Sequence, residues 1–134
     1  MVRKQIDNFS LEQICLSGQC FRMKREDEIE KAAKSVEGNT IDWREWSSYS
    51  LIAGDKYLEI WQRGRECVFD CDEETFESFW KEYFDLERDY GECIARINPR
   101  DKYLVNAAAF GSGIRILKQD LWEMIVTFLI SQQN

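Results

Sequence analysis

The sequence predicts an α+β domain in which strands come first and helices follow. Residues 47–62 hold two runs of strand-forming residues, YSLIA and the alternating KYLEIWQ, on either side of Gly54 and Asp55. This pattern is typical of a β-hairpin, and a third strand is predicted at 67–69. From Asp72 onward the apolar residues recur at helical spacing instead. Strands that precede helices, rather than alternate with them, indicate the α+β class.

The segment before the hairpin is predicted in two parts. Residues 8–23 are expected to form two short extended pieces around Gly18, a residue suited to a positive φ or to the close approach of another group. Residues 24–38 are rich in helix-forming residues, and they predict a surface helix or a mobile insertion that ends at Gly38.

Three helices are predicted between residues 72 and 110. They cover residues 72–84, 86–97 and 101–110. Pro99 ends the second helix before the third begins. Aromatic residues at helical spacing are usually core residues rather than a platform for stacking bases. We therefore expect the first of these helices to bury its five aromatic residues: Phe76, Phe79, Trp80, Tyr83 and Phe84.

A last helix is predicted to begin after Asp120. Asp120 caps its first turn, and Glu123 occupies the reciprocal position of a capping box. The apolar run LWEMIVTFLI at 121–130 is followed by the polar residues 131–134, which suit a helix end or a turn.

The composition predicts one folded domain, alone or with part of another. Of the 134 residues, 44% are hydrophobic, and five Trp and eight Phe supply material for a core. The longest apolar run is too short to span a bilayer. The start, MVRKQIDNFS, lacks the apolar segment of a secretory signal. A cytoplasmic protein without a membrane partner is expected.

The cysteines predict buried or half-buried thiols rather than disulfides or a metal site. Their number is odd, no CxxC pair is present, and the sequence has no His. Half of a zinc site at CVFDC is the weaker alternative, because only aspartates stand beside it. The five cysteines are Cys15, Cys20, Cys67, Cys71 and Cys93.

The residues alone indicate no catalytic constellation. Without His, the commonest general base is missing, and neither a phosphate-binding loop nor a dinucleotide fingerprint is present. A net charge of −7 argues against a basic nucleic-acid-binding face. The acidic residues cluster at 26–30 and 70–77, however, so this charge does not describe every surface. Lys102 and Lys118 are read as surface lysines.

Three motifs resemble 8-oxoguanine DNA glycosylases, and they occur in the same order. SGQCFRM at 17–23 resembles a motif near the start of these enzymes, and YFDLERDY at 83–90 resembles the segment that closes their N-terminal domain. GIRILKQDLWEMIVTFLISQQN at 113–134 is similar to the run that opens their helical domain. The resemblance covers nearly the whole chain. Region 26–46 is longer than the family needs and is read as an insertion.

The resemblance implies a fold and a division of the chain. Residues 1–97 would form an antiparallel, twisted sheet with helices on one face, similar to half of a TATA-binding protein. Residues 98–134 would begin a helix–hairpin–helix domain. The family's catalytic Lys and Asp come later in that domain, so no catalytic residue is expected in this chain. We expect an inactive N-terminal piece whose last helix exposes apolar side chains, leading to a dimer or to a last helix packed on its own chain.

The implied activity is excision of oxidised guanine from double-stranded DNA, with the base flipped out of the duplex. An amine would displace the base and form a Schiff base with the sugar, and no metal or cofactor is expected. Two other classes stay open: a sheet domain that binds DNA without chemistry, and an interaction domain whose last helix docks on a protein.

The resemblance assigns roles to three residues. The main-chain carbonyl of Gly18 would accept a hydrogen bond from the N7 hydrogen that oxidised guanine carries and guanine lacks; the alternative is an ordinary turn glycine. Gln133 is the first candidate, and Asn134 the second, for an amide wedge that enters the minor groove and fills the space of the flipped base. The alternative is a solvated polar helix end.

Overall fold

A five-stranded antiparallel sheet forms the frame of the protein in this computed structural model. The structure describes residues 1–26, 35–36, 39–40 and 45–132, with only the backbone described at 35–36 and 39–40. Within these residues the strands are β1 (Val2–Gln5), β2 (Met23–Arg25), β3 (Ser35–Val36), β4 (Asn39–Thr40), β5 (Ser47–Ala53), β6 (Lys56–Arg63) and β7 (Glu66–Phe69). The large sheet has the order β1-β7-β6-β5-β2, and β3 pairs with β4 separately.

The predicted hairpin and third strand are confirmed. Strands β5 and β6 pair in register from Ser47 opposite Gln62 to Ala53 opposite Lys56. The two residues between them include Gly54 at a φ of 59°, a left-handed conformation that costs glycine little. Strand β7 then pairs with β6, and β1 closes the edge beyond it.

The core lies between one face of the sheet and the helices, so the predicted α+β architecture is confirmed. Ring contacts hold the two layers together: the ring centroid of Phe69 on β7 lies 4.9 Å from that of Phe76 and 6.0 Å from that of Phe84. Four of the five predicted core aromatics are buried and Phe79 is partly buried. Fully buried strand residues complete this core: Leu51, Leu58, Ile60, Cys67 and Phe69.

The described residues of the second half form four helices, as predicted, with two differences. The first helix is continuous over residues 73–83 and consists of three segments. The elements are α2 (Glu73–Thr75), a π-helical segment (Phe76–Trp80), α3 (Lys81–Tyr83), α4 (Tyr90–Ala95), α5 (Lys102–Phe110) and α6 (Leu121–Ser131). The first predicted helix therefore contains a π segment. The helix predicted over 86–97 is wrong at its start, because Asp85 adopts a left-handed φ of 52° and turns occupy the chain until Asp89 caps α4.

Two predictions for the first third of the chain are wrong where the structure describes it. Residues 8–23 contain a helix, α1 (Leu11–Leu16), which the side chain of Ser10 caps by accepting from the Gln13 N–H. The predicted helix over 24–38 is contradicted at both ends, because residues 24–25 belong to β2 and residues 35–36 to β3. The pleated pairing with β5 overrides the helix propensity at its start. Residues 27–34 and 37–38 of that prediction lie outside the described residues.

The cysteines are free thiols, and the deepest ones act as small core residues as predicted. Cys20 and Cys67 are buried, and Cys15 and Cys71 are half-buried. The prediction is wrong for Cys93, which is exposed. Burial raises the pKa of the Cys67 thiol to about 12. Among the residues that the structure describes, no cluster of His, Cys, Asp and Glu could hold a metal ion. In the same part of the chain, no helix is long and apolar enough to cross a membrane.

Candidate functional site

A groove of about 750 Å³ separates the loop after α1 from helix α6. One wall is formed by residues of the SGQCFRM motif at 17–23, and the other wall is formed by helix α6. The residues that line it are Gly18, Phe21, Arg22, Trp122, Glu123, Val126, Thr127, Ile130 and Ser131. The groove is the place where two of the three recognised motifs meet.

Gly18 lies at this groove in a conformation that favours glycine. Its φ is +75°, which confirms the predicted positive φ. A Cβ built on Gly18 would meet no atom within 4 Å, so the space beside it is open. Among the described residues, its carbonyl accepts no backbone hydrogen bond. Geometry thus leaves this peptide free to contact a ligand, and the hydrogen bond to an oxidised base stays a prediction.

An ion pair connects the two walls of the groove. Arg22 donates through Nη1 to the carboxylate of Glu123, and its Nη2 lies 3.3 Å from the main-chain oxygen of Gly54. The predicted capping box is only half correct. Asp120 caps α6 by accepting from the Glu123 N–H at 2.8 Å, but the Glu123 carboxylate binds Arg22 across the groove. This pair fixes the start of α6 against the loop that holds Gly18.

The groove is largely apolar, and much of it faces solvent. Phe21 and Trp122 are 70% and 72% exposed. The predicted exposure of the last helix is confirmed, and further apolar side chains of α6 continue the exposed face: Leu121, Ile125, Val126, Phe128, Leu129 and Ile130. Exposed apolar surface of this extent marks a region that normally contacts another molecule or another part of a chain.

Arg115 anchors the extended segment that leads to α6. Its guanidinium is buried and donates to the main-chain oxygens of Asp7 at 2.8 Å and Asn8 at 3.1 Å. It also donates to those of Asp85 at 2.6 Å and Arg88 at 3.1 Å. A buried cation is tolerated because its N–H groups are bonded. Arg115 thereby joins two loops to the segment that carries the helix.

Asp85 and Tyr90 complete this anchor. The Tyr90 hydroxyl donates to the Asp85 carboxylate at 2.8 Å and accepts from the Ile116 N–H at 3.0 Å. Burial by itself would raise the pKa of the Asp85 carboxyl, but the bonds from Tyr90 and Lys118 and the charge of Arg88 hold that pKa below its usual value. Asp85 is therefore a buried carboxylate that stays ionised near neutral pH.

The role of Arg115 was not predicted, although the sequence contains a signal for it. A single Arg stands between apolar residues in the stretch GIRIL, where a charged side chain must find several partners or leave the core. The carbonyls that bind it lie far apart in the chain, near residues 8 and 85. Sequence spacing does not show that these loops meet.

The tip of α6 is described only in part. Helix α6 ends at Ser131, whose hydroxyl donates to the Phe128 carbonyl at 2.9 Å. The C-cap residue Gln132 follows, with its N–H bonded to Phe128 O at 3.1 Å. Gln133 and Asn134 lie outside the described residues, so the wedge role of either amide stays a prediction.

Lys102 and Lys118 are surface residues, as predicted. Lys102 is exposed on the first turn of α5. The side chain of Lys118 is half exposed, with Nζ 3.4 Å from the carboxylate of Asp85. Neither lysine lines the groove beside Gly18. The groove can position a ligand, but its described residues include no amine nucleophile.

Nearly the whole chain is similar to several solved structures. It is similar to the 8-oxoguanine glycosylase/lyase of Clostridium acetobutylicum in its apo form, with 36% identity and a TM-score of 0.78 over 98% of this chain and 40% of that one. The same enzyme in complex with double-stranded DNA containing cytosine opposite 8-oxoG has 35% identity and a TM-score of 0.76, over 99% of this chain and 42% of that one. MBOgg1 in complex with a low-affinity DNA ligand has 34% identity and a TM-score of 0.78, over 98% of this chain and 39% of that one.

The chain spans about 40% of the length of these solved proteins. A comparison with curated protein sequences gave no match. Residues 1–125 match the profile of the 8-oxoguanine DNA glycosylase N-terminal domain, which includes the sheet, the Gly18 loop and the first turn of α6. The chain therefore belongs to the family of 8-oxoguanine DNA glycosylase N-terminal domains.

Proposed function

We propose that this chain is the N-terminal part of a DNA glycosylase/lyase of base-excision repair that removes oxidised guanine from duplex DNA. The family membership of residues 1–125 supports this proposal. So does the similarity, over nearly the whole chain, to an enzyme solved with DNA that contains cytosine opposite 8-oxoG. Double-stranded DNA is accordingly the proposed partner of the longer enzyme.

The observation that carries the proposal is the placement of Gly18. It lines the groove between the SGQCFRM loop and α6, with a left-handed φ and open space beside it. Oxidised guanine carries a hydrogen on N7, where guanine has a lone pair. A main-chain carbonyl that accepts from this hydrogen would face an unpaired acceptor on normal guanine. One such difference is worth about 1–3 kcal/mol.

In this proposal the chain supplies recognition and the rest of the enzyme supplies chemistry. The groove presents a peptide, two exposed aromatic side chains and a helix tip, all suited to a base taken out of the stack. The nucleophilic amine and its assisting carboxylate would come from the part of the family fold beyond this chain. The remaining segment would also supply phosphate-binding charge, since this chain carries a net charge of −7.

A borohydride-trapping assay tests the division of labour. The product of the complete reading frame, here called the complete enzyme, should release 8-oxoguanine from an 8-oxoG·C duplex and form a covalent adduct with DNA when borohydride is added. The 134-residue chain alone should do neither. An adduct trapped at Lys102 or Lys118 of the isolated chain would refute the proposal, as would a complete enzyme that is inactive on oxidised guanine.

A further inference from the structure

The side chain of Gln19, next to Gly18, pairs with the extended segment before α6 as a peptide group would. Its Nε2 donates to the main-chain oxygen of Arg115 at 2.9 Å, and its Oε1 accepts from the Leu117 N–H at 2.9 Å. The two bonds use the donor and the acceptor of one primary amide. The pairing reproduces, with a side chain, the pattern of a strand bonded to its neighbour.

The main chain of Gln19 is tied to the same segment. Its carbonyl oxygen accepts from Nε2 of Gln119 at 2.7 Å. Three hydrogen bonds thus join a single residue to the residues just before α6. Gly18, one position earlier, has open space beside it and a φ that glycine adopts without steric cost. The orientation of its carbonyl therefore depends on how firmly the following residue is held.

We propose that Gln19 is a positioning residue that sets the Gly18 carbonyl against helix α6 and so determines the preference for the oxidised base. The inference rests on the proposed function, because it concerns the base that Gly18 would recognise. A hydrogen bond to the base discriminates only if the acceptor is held at bonding distance before the base arrives. Gln19 does this by fixing one wall of the groove to the segment from which the other wall begins.

Gln13 provides a matched control within the same chain. Its Nε2 donates to the Phe110 carbonyl at 2.8 Å, and its Oε1 accepts from the Gly113 N–H at 2.8 Å. This amide ties α1 to the start of the same extended segment, again with two bonds to the main chain. Gln13 is not adjacent to Gly18 and does not line the groove. Loss of its amide removes the same two kinds of main-chain hydrogen bond, whereas loss of the Gln19 amide also removes a 3.2 Å bond from Nε2 to the Ser17 hydroxyl. We expect the Gln13 change to leave the Gly18 peptide in place.

The test compares Gln19→Met and Gln13→Met in the complete enzyme, since Met keeps the length of the side chain without its hydrogen bonds. Two rates are measured under single-turnover conditions: release of 8-oxoguanine from an 8-oxoG·C duplex, and strand incision at a preformed abasic site. The second rate needs the catalytic amine but no base to recognise. A purely structural defect lowers both rates, whereas a recognition defect lowers the first relative to the second.

We expect Gln19→Met to lower the ratio of base release to abasic-site incision about tenfold. Gln13→Met should leave this ratio within about twofold of the wild type. Gln119→Met removes the hydrogen bond to the Gln19 carbonyl and should also lower the ratio. This variant replaces Gln19→Met in the test if Gln19→Met does not fold.

Three results would overturn the inference. The first is an unchanged ratio in folded Gln19→Met or, where that variant does not fold, in Gln119→Met. The second is an equal change of the ratio in the Gln13 and Gln19 variants, which would assign the amide a structural role only. The third is a wild-type enzyme without either activity, which would overturn the proposed function itself and this inference with it.

Discussion

The guanidinium of Arg115 and the main-chain carbonyl of Asp85 are joined by a 2.6 Å hydrogen bond inside the protein. Asp85 has a left-handed φ of 52°, and Asn8, whose carbonyl also binds Arg115, has a φ of 50°. Each conformation is uncommon for a residue with a side chain. One buried cation thus holds two turns with left-handed residues and the segment that leads to α6.

Replacing Arg115 should therefore destabilise the fold strongly. In Arg115→Met the four carbonyls that the guanidinium binds lose their donor. The bond to Asp85 is buried and the other three are partly buried, and polar groups left there without partners are costly. We expect the free energy of unfolding to fall by about 3 kcal/mol or more. Urea denaturation of the 134-residue chain measures this, with Arg100→Met as the control because Arg100 is exposed. A similar, small effect for both variants would contradict the role of Arg115.

Asp85 should make the stability of the chain sensitive to acid. Its pKa is lowered in the folded protein, so folding favours the ionised form. Such a group stabilises the fold above the unfolded pKa of about 3.9, and this contribution is lost as the pH falls through the lowered folded value. Asp85→Asn keeps a side chain that tolerates the left-handed turn but removes the charge.

The variant should lose about 1 kcal/mol at pH 7. The difference in stability between the wild type and Asp85→Asn should shrink as the pH is lowered from 5 to 2, measured by urea denaturation at each pH. A difference that stays constant over this range, or grows toward low pH, would show that the carboxylate of Asp85 does not contribute through its ionised form.

The parts of the fold that the sequence predicts well are those set by local pattern. Alternation around Gly54 gives the hairpin, and helical spacing of Phe76 and Trp80 gives a buried helix. The first third was less predictable because two signals compete there. Ser10 and Gln13 form the S-x-x-Q pattern of a helix start, but the apolar spacing between Phe9 and Met23 also fits short strands.

The candidate site was predictable only in part. The positive φ of Gly18 follows from residue type, and the exposed face of α6 from its apolar run. The groove depends on long-range contacts: Arg22 binds Glu123, 101 residues later, and Gln19 binds Leu117. No local pattern encodes pairs at such separation. The motif resemblance indicated that these stretches belong to one site, but it did not show the contacts that hold them.

The exposed face of α6 should cause the isolated chain to associate. Phe128 is 59% exposed on this helix, and burial of large apolar side chains favours association. Sedimentation equilibrium should show a dimer that becomes more populated between about 1 and 100 μM, a range that corresponds to interaction free energies of about −8 to −5 kcal/mol.

The association should depend on α6 and not on apolar exposure in general. Phe128→Lys should weaken it, whereas Tyr57→Lys should not, because Tyr57 is equally exposed, at 59%, but lies on strand β6. The prediction fails if the chain is monomeric throughout this range, or if both variants act alike.

The residues after α6 should assist extrusion of the base. Gln133 and Asn134 follow a helix whose apolar residues line the groove, and an amide can replace some hydrogen bonds of the lost base pair. In the complete enzyme, Gln133→Ala should slow base flipping about tenfold, since an inserted side chain offsets part of an unstacking cost of a few kcal/mol. Asn134→Ala should slow it less.

A fluorescent base analogue beside the lesion reports flipping in stopped-flow experiments. Thermal unfolding serves as the control, because both residues follow the C-cap Gln132 in the sequence and their substitution should leave the melting temperature unchanged. If neither variant alters flipping or excision, residues 133 and 134 are only the end of a helix.

The proposed recognition of oxidised guanine depends most on Gly18, and a comparison of two glycines tests this role directly. Gly18 and Gly64 both have a positive φ, at 75° and 59°, and a Cβ at either position would meet no atom within 4 Å. Substitution by Ala therefore imposes a similar backbone strain of about 1 kcal/mol at each. Only Gly18 lines the groove, because Gly64 lies in the turn between β6 and β7.

The measurement is the affinity of each variant of the complete enzyme for an 8-oxoG·C duplex relative to a G·C duplex, together with the single-turnover rate of excision. We expect Gly18→Ala to reduce lesion preference and excision by tenfold or more, equivalent to about 1.4 kcal/mol, and Gly64→Ala to leave both close to the wild type. An undiminished preference for oxidised guanine in Gly18→Ala would show that the Gly18 carbonyl does not recognise the lesion.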